Sequence, residues 1–332
     1  MQQPLFVFLM NWTIVLALVA LIAAFIFYPA PSLSPNHLAW MNRGSYFKYN
    51  DYYIFYIDEL GSGSIEDAVV CFHGFPTSSY DWVKVIDGLK QQFHKVILLD
   101  FLGYGFSEKP RNHNYTIGEQ ADIVEALLKE LRVKRVHILS HDFGDTVALE
   151  MLARFDSKPS ELKGGVLQSL CMLNGGIFQG LYHPRLIQKL LRVPVLSAIL
   201  SRLTFYQVFR KGFEEIFGTQ NPPTEEEFKE FYAVVKFRDG HIVLPGLLQY
   251  IDERQFYKER WEGALQQSSI PVHMIYGPAD PVNPPPFAEH YRKVVPGSSL
   301  HVLVSRIGHY PQWEAPNDVL RSYIEFLDVV SW

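Results

Sequence analysis

Cysteine, metal-ligand clusters and runs of basic charge are scarce in this chain of 332 residues. The only two cysteines, Cys71 and Cys171, each lie within an apolar run, which predicts buried thiols and excludes a disulfide framework. No group of Cys, His, Asp or Glu has the spacing of a metal site, so no metal or cofactor is expected. The net charge is −5 without a basic stripe, which argues against a nucleic-acid partner.

The composition is that of a globular protein. Hydrophobic residues make up 48% of the chain and charged residues 20%, which allows a sizeable core and excludes a disordered chain. The aromatic content of 14% fits either a well-filled core or a broad apolar pocket, and composition does not choose between them. The length fits a single α/β domain that carries an insertion.

The N-terminal region differs from the rest. Residues 5–28 contain no charged residue, and a helix needs about 20 apolar residues to cross a bilayer. A cleaved signal peptide is the alternative, but no basic residue precedes the stretch and "YPAPS" is a poor cleavage site. We therefore predict a membrane anchor. Arg43 and Lys48 follow it, which favours a cytosolic body; Asn114, in "NYT", is a candidate glycosylation site only if the body is lumenal.

Strand and helix patterns alternate through most of the chain. The apolar runs "DAVVCFHG", "HKVILLD" and "KRVHILSHD" predict buried strands, and amphipathic stretches between them predict helices, a pattern typical of a parallel sheet covered on both faces. The alternation is interrupted by a helix-like, Pro-punctuated stretch. We therefore predict an anchor and linker over residues 1–35, an α/β core over 36–175 and 263–332, and a helical cap over 176–262.

The stretch "HILSHDFGDT" predicts a strand, a sharp turn and a helix. In a nucleophile elbow the central residue is strained and needs small residues two positions before and after it. Centring the turn on Asp142 places Ser140 and Gly144 at those positions, whereas the other centres place larger residues there. Asp142 is therefore the predicted nucleophile; the alternative is that it only caps the following helix.

Three further loops end predicted strands. "HGFP" can direct the backbone N–H of Phe75 to the same point as that of Phe143, which predicts an oxyanion hole. Asp280 follows the strand "VHMIY", and His309 lies in the loop after "LHVLV". The order nucleophile, acid, base is that of the hydrolases built on this strand–turn–helix. Asn174 is the only other position for the orienting residue, and it is not acidic.

Five motifs, "HGFPTSSYDW", "LLDFLGYGFSEKP", "LSHDFGD", "GPADPVNP" and "IGHYPQWEAP", resemble those of α/β-hydrolases of the epoxide hydrolase and haloalkane dehalogenase branch, from about Phe47 to the end of the chain. The resemblance implies the α/β-hydrolase fold, with a mostly parallel sheet, helices on both faces and a helical cap. It also implies that Asp142 forms an ester with the substrate and that His309, oriented by Asp280, activates the water that cleaves it. A location in the endoplasmic reticulum membrane and a lipophilic substrate are expected.

In epoxide hydrolases, cap tyrosines protonate the departing oxygen. Tyr250 resembles one of them, although an ordinary helix aromatic is an equal reading. Tyr182, Tyr206 and Tyr232 are candidates for the second tyrosine, without a matching motif.

Ser140 replaces the usual first glycine of the elbow, and three further residues depart from the family pattern. Phe143 stands where Trp is common, and Phe75 stands where dehalogenases often have Asn. Because Phe has no side-chain N–H, halide binding is disfavoured. Asp145 either caps the helix or repels the charge of Asp142. The sequence thus favours an epoxide hydrolase-like enzyme; an ester or lipid hydrolase or acyltransferase, and a catalytically silent binding or signalling protein with this fold, remain alternatives.

Overall fold

The computed structural model describes residues 12–20, 23, 30–157 and 165–330. Residues 12–20 are helical. The membrane span predicted over residues 5–28 falls largely outside the described residues. Within the ranges given above, no helix is both long and apolar enough to cross a bilayer.

Eight strands form one sheet in the order β1-β2-β4-β3-β5-β6-β7-β8. The strands β1 and β2 pair antiparallel, as do β2 and β4, and every other neighbouring pair is parallel. The predicted mostly parallel sheet is therefore confirmed. Its strands are β1 (Ser45–Tyr49), β2 (Tyr52–Leu60), β3 (Ile65–Phe72), β4 (Phe93–Leu99), β5 (Arg135–His141), β6 (Val166–Leu173), β7 (Val272–Tyr276) and β8 (Ser299–Val302).

The parallel strands form the centre of the core. Every residue of β7 is buried, and so are the last five of β3 and the last six of β5. This agrees with the continuous apolar runs of the sequence, because a parallel sheet is covered on both faces.

Helices precede and connect these strands. Those of the first half are α1 (Pro35–Arg43), α2 (Ile86–Gln92), α3 (Ile117–Glu130) and α4 (Phe143–Ser157), with a 3₁₀ turn over Ser79–Trp82. The last three are α12 (Pro286–Val294), α13 (Pro311–Glu314) and α14 (Pro316–Val330). Local signals set their ends: the Thr116 hydroxyl accepts the N–H of Glu119 and so caps α3.

Seven helices lie between β6 and β7. They are α5 (Leu186–Leu191), α6 (Pro194–Leu200), α7 (Tyr206–Glu214), α8 (Glu225–Lys236), α9 (Gly240–Leu247), α10 (Tyr250–Phe256) and α11 (Lys258–Gln266). The predicted boundary between residues 262 and 263 falls within α11. Arg260 and Trp261 of this helix both donate to Glu150 on α4, so α11 packs on the sheet domain.

The register brings the loops after four strands to one edge of the sheet. Phe72 at the end of β3 pairs with Ser140 of β5, His141 pairs with Leu173 of β6, and Leu173 pairs with Ile275 of β7. In open α/β sheets, ligands bind outside the carboxyl ends of the strands. Of the predicted site residues, Phe75, Asp142 and Asp280 follow these ends, and His309 follows β8.

Candidate active site

A sharp turn joins β5 to α4 at Asp142. Its backbone has φ of +48°, in the left-handed region that costs a non-glycine residue energy. The Asp142 N–H donates to the carbonyl of Leu173 at 3.2 Å. At Gly144, a Cβ atom would lie 2.6 Å from Cβ of Phe72, so this position requires glycine. The strained turn lies where the sequence predicts it.

Ser140 and Asp145 pack together behind this turn. The Ser140 hydroxyl donates to Oδ1 of Asp145 at 2.5 Å. Burial, reinforced by the charge of Asp142, raises the pKa of Asp145 well above its usual range. Burial therefore favours the neutral form of Asp145 within the first turn of α4, which limits the negative charge beside Asp142.

The loop after β3 is held against Asp142. The N–H of Phe75 donates to Oδ2 of Asp142 at 3.0 Å, next to a cis Phe75–Pro76 peptide bond. Nε2 of His73 accepts the N–H of Phe101, so its Nδ1 carries the proton and donates to the carbonyl of Gly74. Burial lowers the pKa of His73 to about 4, which keeps this ring neutral.

The backbone N–H of Phe143 is the second predicted oxyanion donor. Phe143 is the first residue of α4 and directly follows Asp142. Amides in the first turn of a helix have no acceptor within the helix, so this N–H can bind a ligand oxygen. The side chains of Phe75 and Phe143 both pack on the ring of Tyr250, with ring centroids 6.1 and 5.2 Å away.

His309 and Asp280 form a buried pair. Nδ1 of His309 lies 2.8 Å from Oδ2 of Asp280. The side-chain amides of Asn174 and Asn283 donate to the same oxygen, and the N–H of Val282 donates to Oδ1. Burial favours the neutral acid, but His309 and these donors outweigh it and lower the pKa of Asp280. Asn174 therefore supports Asp280 in the orienting position.

The proton of His309 responds to both acids. Burial lowers the pKa of this imidazole, but Asp280, and then Asp142, outweigh burial and raise the pKa to about 9. Nε2 lies 3.9 Å from Oδ1 of Asp142. At neutral pH this pKa favours the imidazolium form of His309, between the two carboxylates.

The backbone around His309 is held from two sides. Nε2 of His141 donates to the carbonyl of His309 at 2.7 Å, and burial lowers the pKa of His141 to about 3, so this ring is neutral. Oε2 of Glu314 accepts the N–H groups of Gly308 and Gly218, which ties the histidine loop to the segment after α7.

Arg254 of α10 lies beside Asp142 with an exposed fraction of only 3%, and no sequence motif predicts it there. Its Nη2 donates to the backbone carbonyl of Asp142 at 3.1 Å and lies 3.7 Å from Oδ1 of that residue. Its Nε donates to Thr146 of α4. In the sequence, "YIDERQF" is typical of an exposed helix face, so no local signal identifies this arginine.

Two cap tyrosines lie side by side near Asp142. The hydroxyl of Tyr182 donates to Oε1 of Gln188, whose Nε2 donates to the hydroxyl of Tyr250 at 3.5 Å. Burial raises the pKa of Tyr250 well above its usual range, with smaller contributions from Tyr182 and Asp142. Tyr206 and Tyr232 lie elsewhere: their hydroxyls donate to Glu225 and to the carbonyl of Thr204.

A cavity of about 120 Å³ opens above Asp142 and His309. Its other lining residues are mostly apolar: Phe75, Pro76, Arg185, Ile187, Gln188, Val208, Phe209, Gly212, Phe213, Ile216 and Val282. Gln188 stands between this cavity and the two tyrosine hydroxyls, so neither tyrosine lines it directly. The described residues contain no group of three or more metal-ligating side chains.

The candidate glycosylation site lies apart from the cavity. Asn114 is exposed in the loop before α3. Its carbonyl accepts the N–H of Thr116, the residue that caps this helix. The side chain of Asn114 is thus accessible to modification, and its modification stays a prediction.

Solved structures of low sequence identity share this fold. The haloalkane dehalogenase DbeA from Bradyrhizobium elkani superposes with a TM-score of 0.71 at 20% identity, covering 87% of this chain and 98% of that one. The epoxide hydrolase CorEH superposes with a TM-score of 0.67 at 22% identity, covering 86% and 98%. At these identities the likeness concerns the fold alone.

Two sequence comparisons assign the family. A model of the alpha/beta hydrolase fold matches residues 67–191, from β3 to α5. The mesoderm-specific transcript protein of Mus musculus is 47% identical over 324 residues, which cover 96% of each chain. The resemblance found in the sequence motifs is thereby confirmed: this chain belongs to the α/β-hydrolase family, within the group that includes the mesoderm-specific transcript proteins.

Proposed function

We propose that this protein is a membrane-anchored, epoxide hydrolase-like enzyme that forms a covalent ester between Asp142 and a lipophilic substrate. One observation carries the proposal. The Asp142 carboxylate sits on a strained turn, with Oδ2 bound by the Phe75 N–H and Oδ1 3.9 Å from Nε2 of His309. In this arrangement Asp142 can act as the nucleophile of a first step, and His309 can act as the base of a second step.

In the first step, Oδ1 of Asp142 attacks a carbon of the epoxide. The new C–O bond forms as the epoxide C–O bond breaks, and the departing oxygen takes a proton from Tyr250. Burial raises the pKa of Tyr250 and so favours its protonated form, and the epoxide oxygen takes the proton because it becomes a strongly basic alkoxide as its C–O bond breaks. Gln188 must turn aside for the tyrosine to reach the oxygen, since it stands between them.

In the second step, water cleaves the ester. Once Asp142 is esterified, it no longer carries the negative charge that helps to raise the pKa of His309, so Nε2 can give up its proton. That proton restores the Tyr250 phenolate left by the first step, and the neutral imidazole then takes a proton from water as the base. Hydroxide adds to the ester carbon, and the resulting oxyanion at Oδ2 is held by the N–H groups of Phe75 and Phe143. Each such donor contributes about 2.7–4 kcal/mol in comparable sites. Collapse of the intermediate releases the diol and restores Asp142.

The substrate class follows from the walls of the cavity. Apart from Asp142 and His309 at its base, only Arg185 and Gln188 bring polar side chains to it. A lipophilic molecule with one electrophilic carbon fits this distribution. The charge-free residues 5–28 support a membrane anchor. We propose that this anchor holds the protein in the endoplasmic reticulum membrane.

The experiment is to trap the ester. The full chain carrying His309→Gln is incubated with a series of terminal epoxides of increasing alkyl length, and the peptide that contains Asp142 is analysed by mass spectrometry. We expect that peptide to gain the mass of one epoxide. The fraction of peptide that carries the adduct should rise with the alkyl length of the epoxide up to a limit. The matched control, His309→Gln with Asp142→Asn, should carry no adduct.

Other results would favour the alternatives. An adduct that persists in the double variant would contradict the role of Asp142. Hydrolysis of a carboxylic ester by the Asp142→Asn variant would favour an ester or lipid hydrolase or acyltransferase, although no Ser, Thr or Cys lines the cavity. No adduct with any epoxide, together with retained binding of the same compounds, would favour a catalytically silent binding protein.

A further inference from the structure

The short helix α6, with the sequence "PVLSAIL", is apolar except for Ser197, yet none of its residues is buried. Val195 is 76% exposed. A helix that is apolar on all sides is normally covered by protein or lipid. Leu200 packs against the core at the end of α6, whereas Val195, Leu196 and Ile199 are left exposed among the described residues.

The neighbouring helices extend this surface. The exposed large apolar residues of this region, which we call the cap face, are Leu186, Ile187, Val193, Val195, Leu196, Ile199 and Val208. They come from α5, α6, α7 and the α5–α6 connection. Exposed apolar side chains grouped in this way mark a surface that meets a protein or a membrane.

The charge of the same segment is strongly biased. Residues 185–211 contain six basic residues and no acidic residue, in a chain whose net charge is −5. Three of the six are paired with acids of other segments: Arg185, Arg192 and Arg210. The remaining three, Lys189, Arg202 and Lys211, have no carboxylate partner among the described residues. A surface that combines apolar and basic side chains is complementary to an anionic bilayer.

The N-terminal part of the chain reaches the body beside this segment. Ser34 donates to Glu230 of α8 at 2.6 Å, and Pro31 lines a surface cavity together with Tyr206, the first residue of α7. Val208 of the cap face follows two residues later. The chain therefore enters the body at Pro31 and Ser34 on the side of the cap, after the charge-free residues 5–28 for which we predict an anchor.

The cavity above Asp142 also reaches the cap face. Ile187 and Val208 line that cavity, and both are exposed members of the cap face. An apolar molecule can thus pass between this surface and the cavity along the apolar side chains of these two residues. The cap face can therefore serve substrate entry as well as attachment to a membrane.

We propose that the cap face docks on a bilayer containing anionic phospholipid, so that the cavity above Asp142 opens towards the lipid. The apolar side chains of α6 enter the interface, and Lys189, Arg202 and Lys211 meet the phosphate groups. The proposal does not depend on the ester chemistry at Asp142, because docking is measured without turnover.

The chain offers a selective probe of docking. Since Cys71 and Cys171 are both buried, a cysteine introduced at Val195 can be labelled alone with a fluorophore that reports polarity. The full chain carrying Val195→Cys is labelled and reconstituted in phosphatidylcholine vesicles with and without phosphatidylserine. The matched control is Leu60→Cys: Leu60 is 69% exposed and pairs with Lys95 near the start of β4, at the opposite edge of the sheet from the site.

We expect the label at position 195, but not the label at position 60, to shift to the blue in vesicles with phosphatidylserine and to be quenched by spin-labelled lipid. In the labelled Val195→Cys chain, the further substitutions Lys189→Glu and Lys211→Glu should weaken docking. Each lysine reversed should lower the ratio of docked to undocked protein by at least about fivefold. Equal signals at the two positions, or no effect of the charge reversals, would overturn the proposal. A shift at position 195 that requires no vesicles and grows with protein concentration would overturn it in favour of a second copy of the chain.

Discussion

Four buried ionisable residues set the electrostatics of the site. Asp142 and Asp280 supply two negative charges, and Arg254 and His309 supply two positive charges. Burial favours the neutral form of three nearby residues, since it raises the pKa of Asp145 and lowers those of His73 and His141. The Asp142 carboxylate therefore lies next to two balancing cations.

Arg254 offers a direct test of this balance. Arg254→Met leaves the Asp142 carbonyl and carboxylate without their buried partner, so we expect the free energy of unfolding to fall by about 3 kcal/mol. The control Arg185→Met removes a partly exposed pair with Glu215 and should cost less than about 1 kcal/mol. Urea unfolding measures both values. Equal losses in the two variants would show that Arg254 does not balance Asp142.

The proton of His309 makes stability depend on pH. The pKa of His309 is raised to about 9, above its usual 6.5, so its contribution is fully present below about pH 6.5 and is lost as the pH rises through 9. The free energy of unfolding of the chain with His309 should exceed that of the His309→Gln variant. This difference should be largest near pH 6, at up to about 3 kcal/mol, and should shrink towards pH 9.5. Urea unfolding across this range measures it, and a constant difference would contradict the assigned pKa.

At the scale of elements, the strand–turn–helix at Asp142 depends on close backbone approach. The helix α4 begins immediately after the turn and passes over the end of β3, so that Gly144 N–H donates to the carbonyl of His73 at 3.1 Å. This close approach leaves no room for a larger residue. A small residue at position 144 is therefore a sequence signal for the strand–turn–helix.

Two glycines in helices should respond oppositely to alanine. In Gly144→Ala, the new Cβ would lie 2.7 Å from the carbonyl oxygen of Phe72, so α4 must shift and stability should fall by at least about 2 kcal/mol. In Gly263→Ala of α11, the Cβ meets nothing within 4 Å, and stability should rise by about 0.5–1 kcal/mol. Thermal unfolding distinguishes them; a tolerated Gly144→Ala would contradict the close packing of the turn.

The elements also show which parts of the site the sequence could predict. Asp142, His309 and Asp280 each follow an apolar strand, and the ends of parallel strands meet, so their proximity follows from local pattern and topology. Arg254 and Tyr182 reach the same point from the cap. Their place depends on how the cap packs on the core, since Asp142 is 112 residues from Arg254 and 40 residues from Tyr182 in sequence, and no local pattern encodes that packing.

At the scale of the whole molecule, we propose an orientation of the body from the charge at the N-terminal region. Arg43 and Lys48 follow the charge-free stretch for which we propose an anchor. For such an anchor the positive-inside rule predicts a cytosolic body. In this proposal the cap face and the N-terminal linker meet the same side of the membrane.

Glycosylation reports this orientation. Asn114 is exposed, so an enzyme in the lumen would modify its "NYT" triplet. We expect the chain expressed in mammalian cells to keep its gel mobility after treatment with an N-glycosidase and to match Asn114→Gln. A mobility change that Asn114→Gln abolishes would place the body in the lumen.

The central claim is that Asp142 becomes an ester during turnover, and oxygen-18 labelling tests it most directly. A single turnover of an epoxide is run in ¹⁸O water with enzyme in excess, and the diol and the Asp142 peptide are analysed by mass spectrometry. The account predicts an unlabelled diol and one ¹⁸O in the Asp142 carboxylate, because water attacks the ester carbonyl. A labelled diol with an unlabelled Asp142 would mean that water attacks the substrate directly, and it would contradict the account.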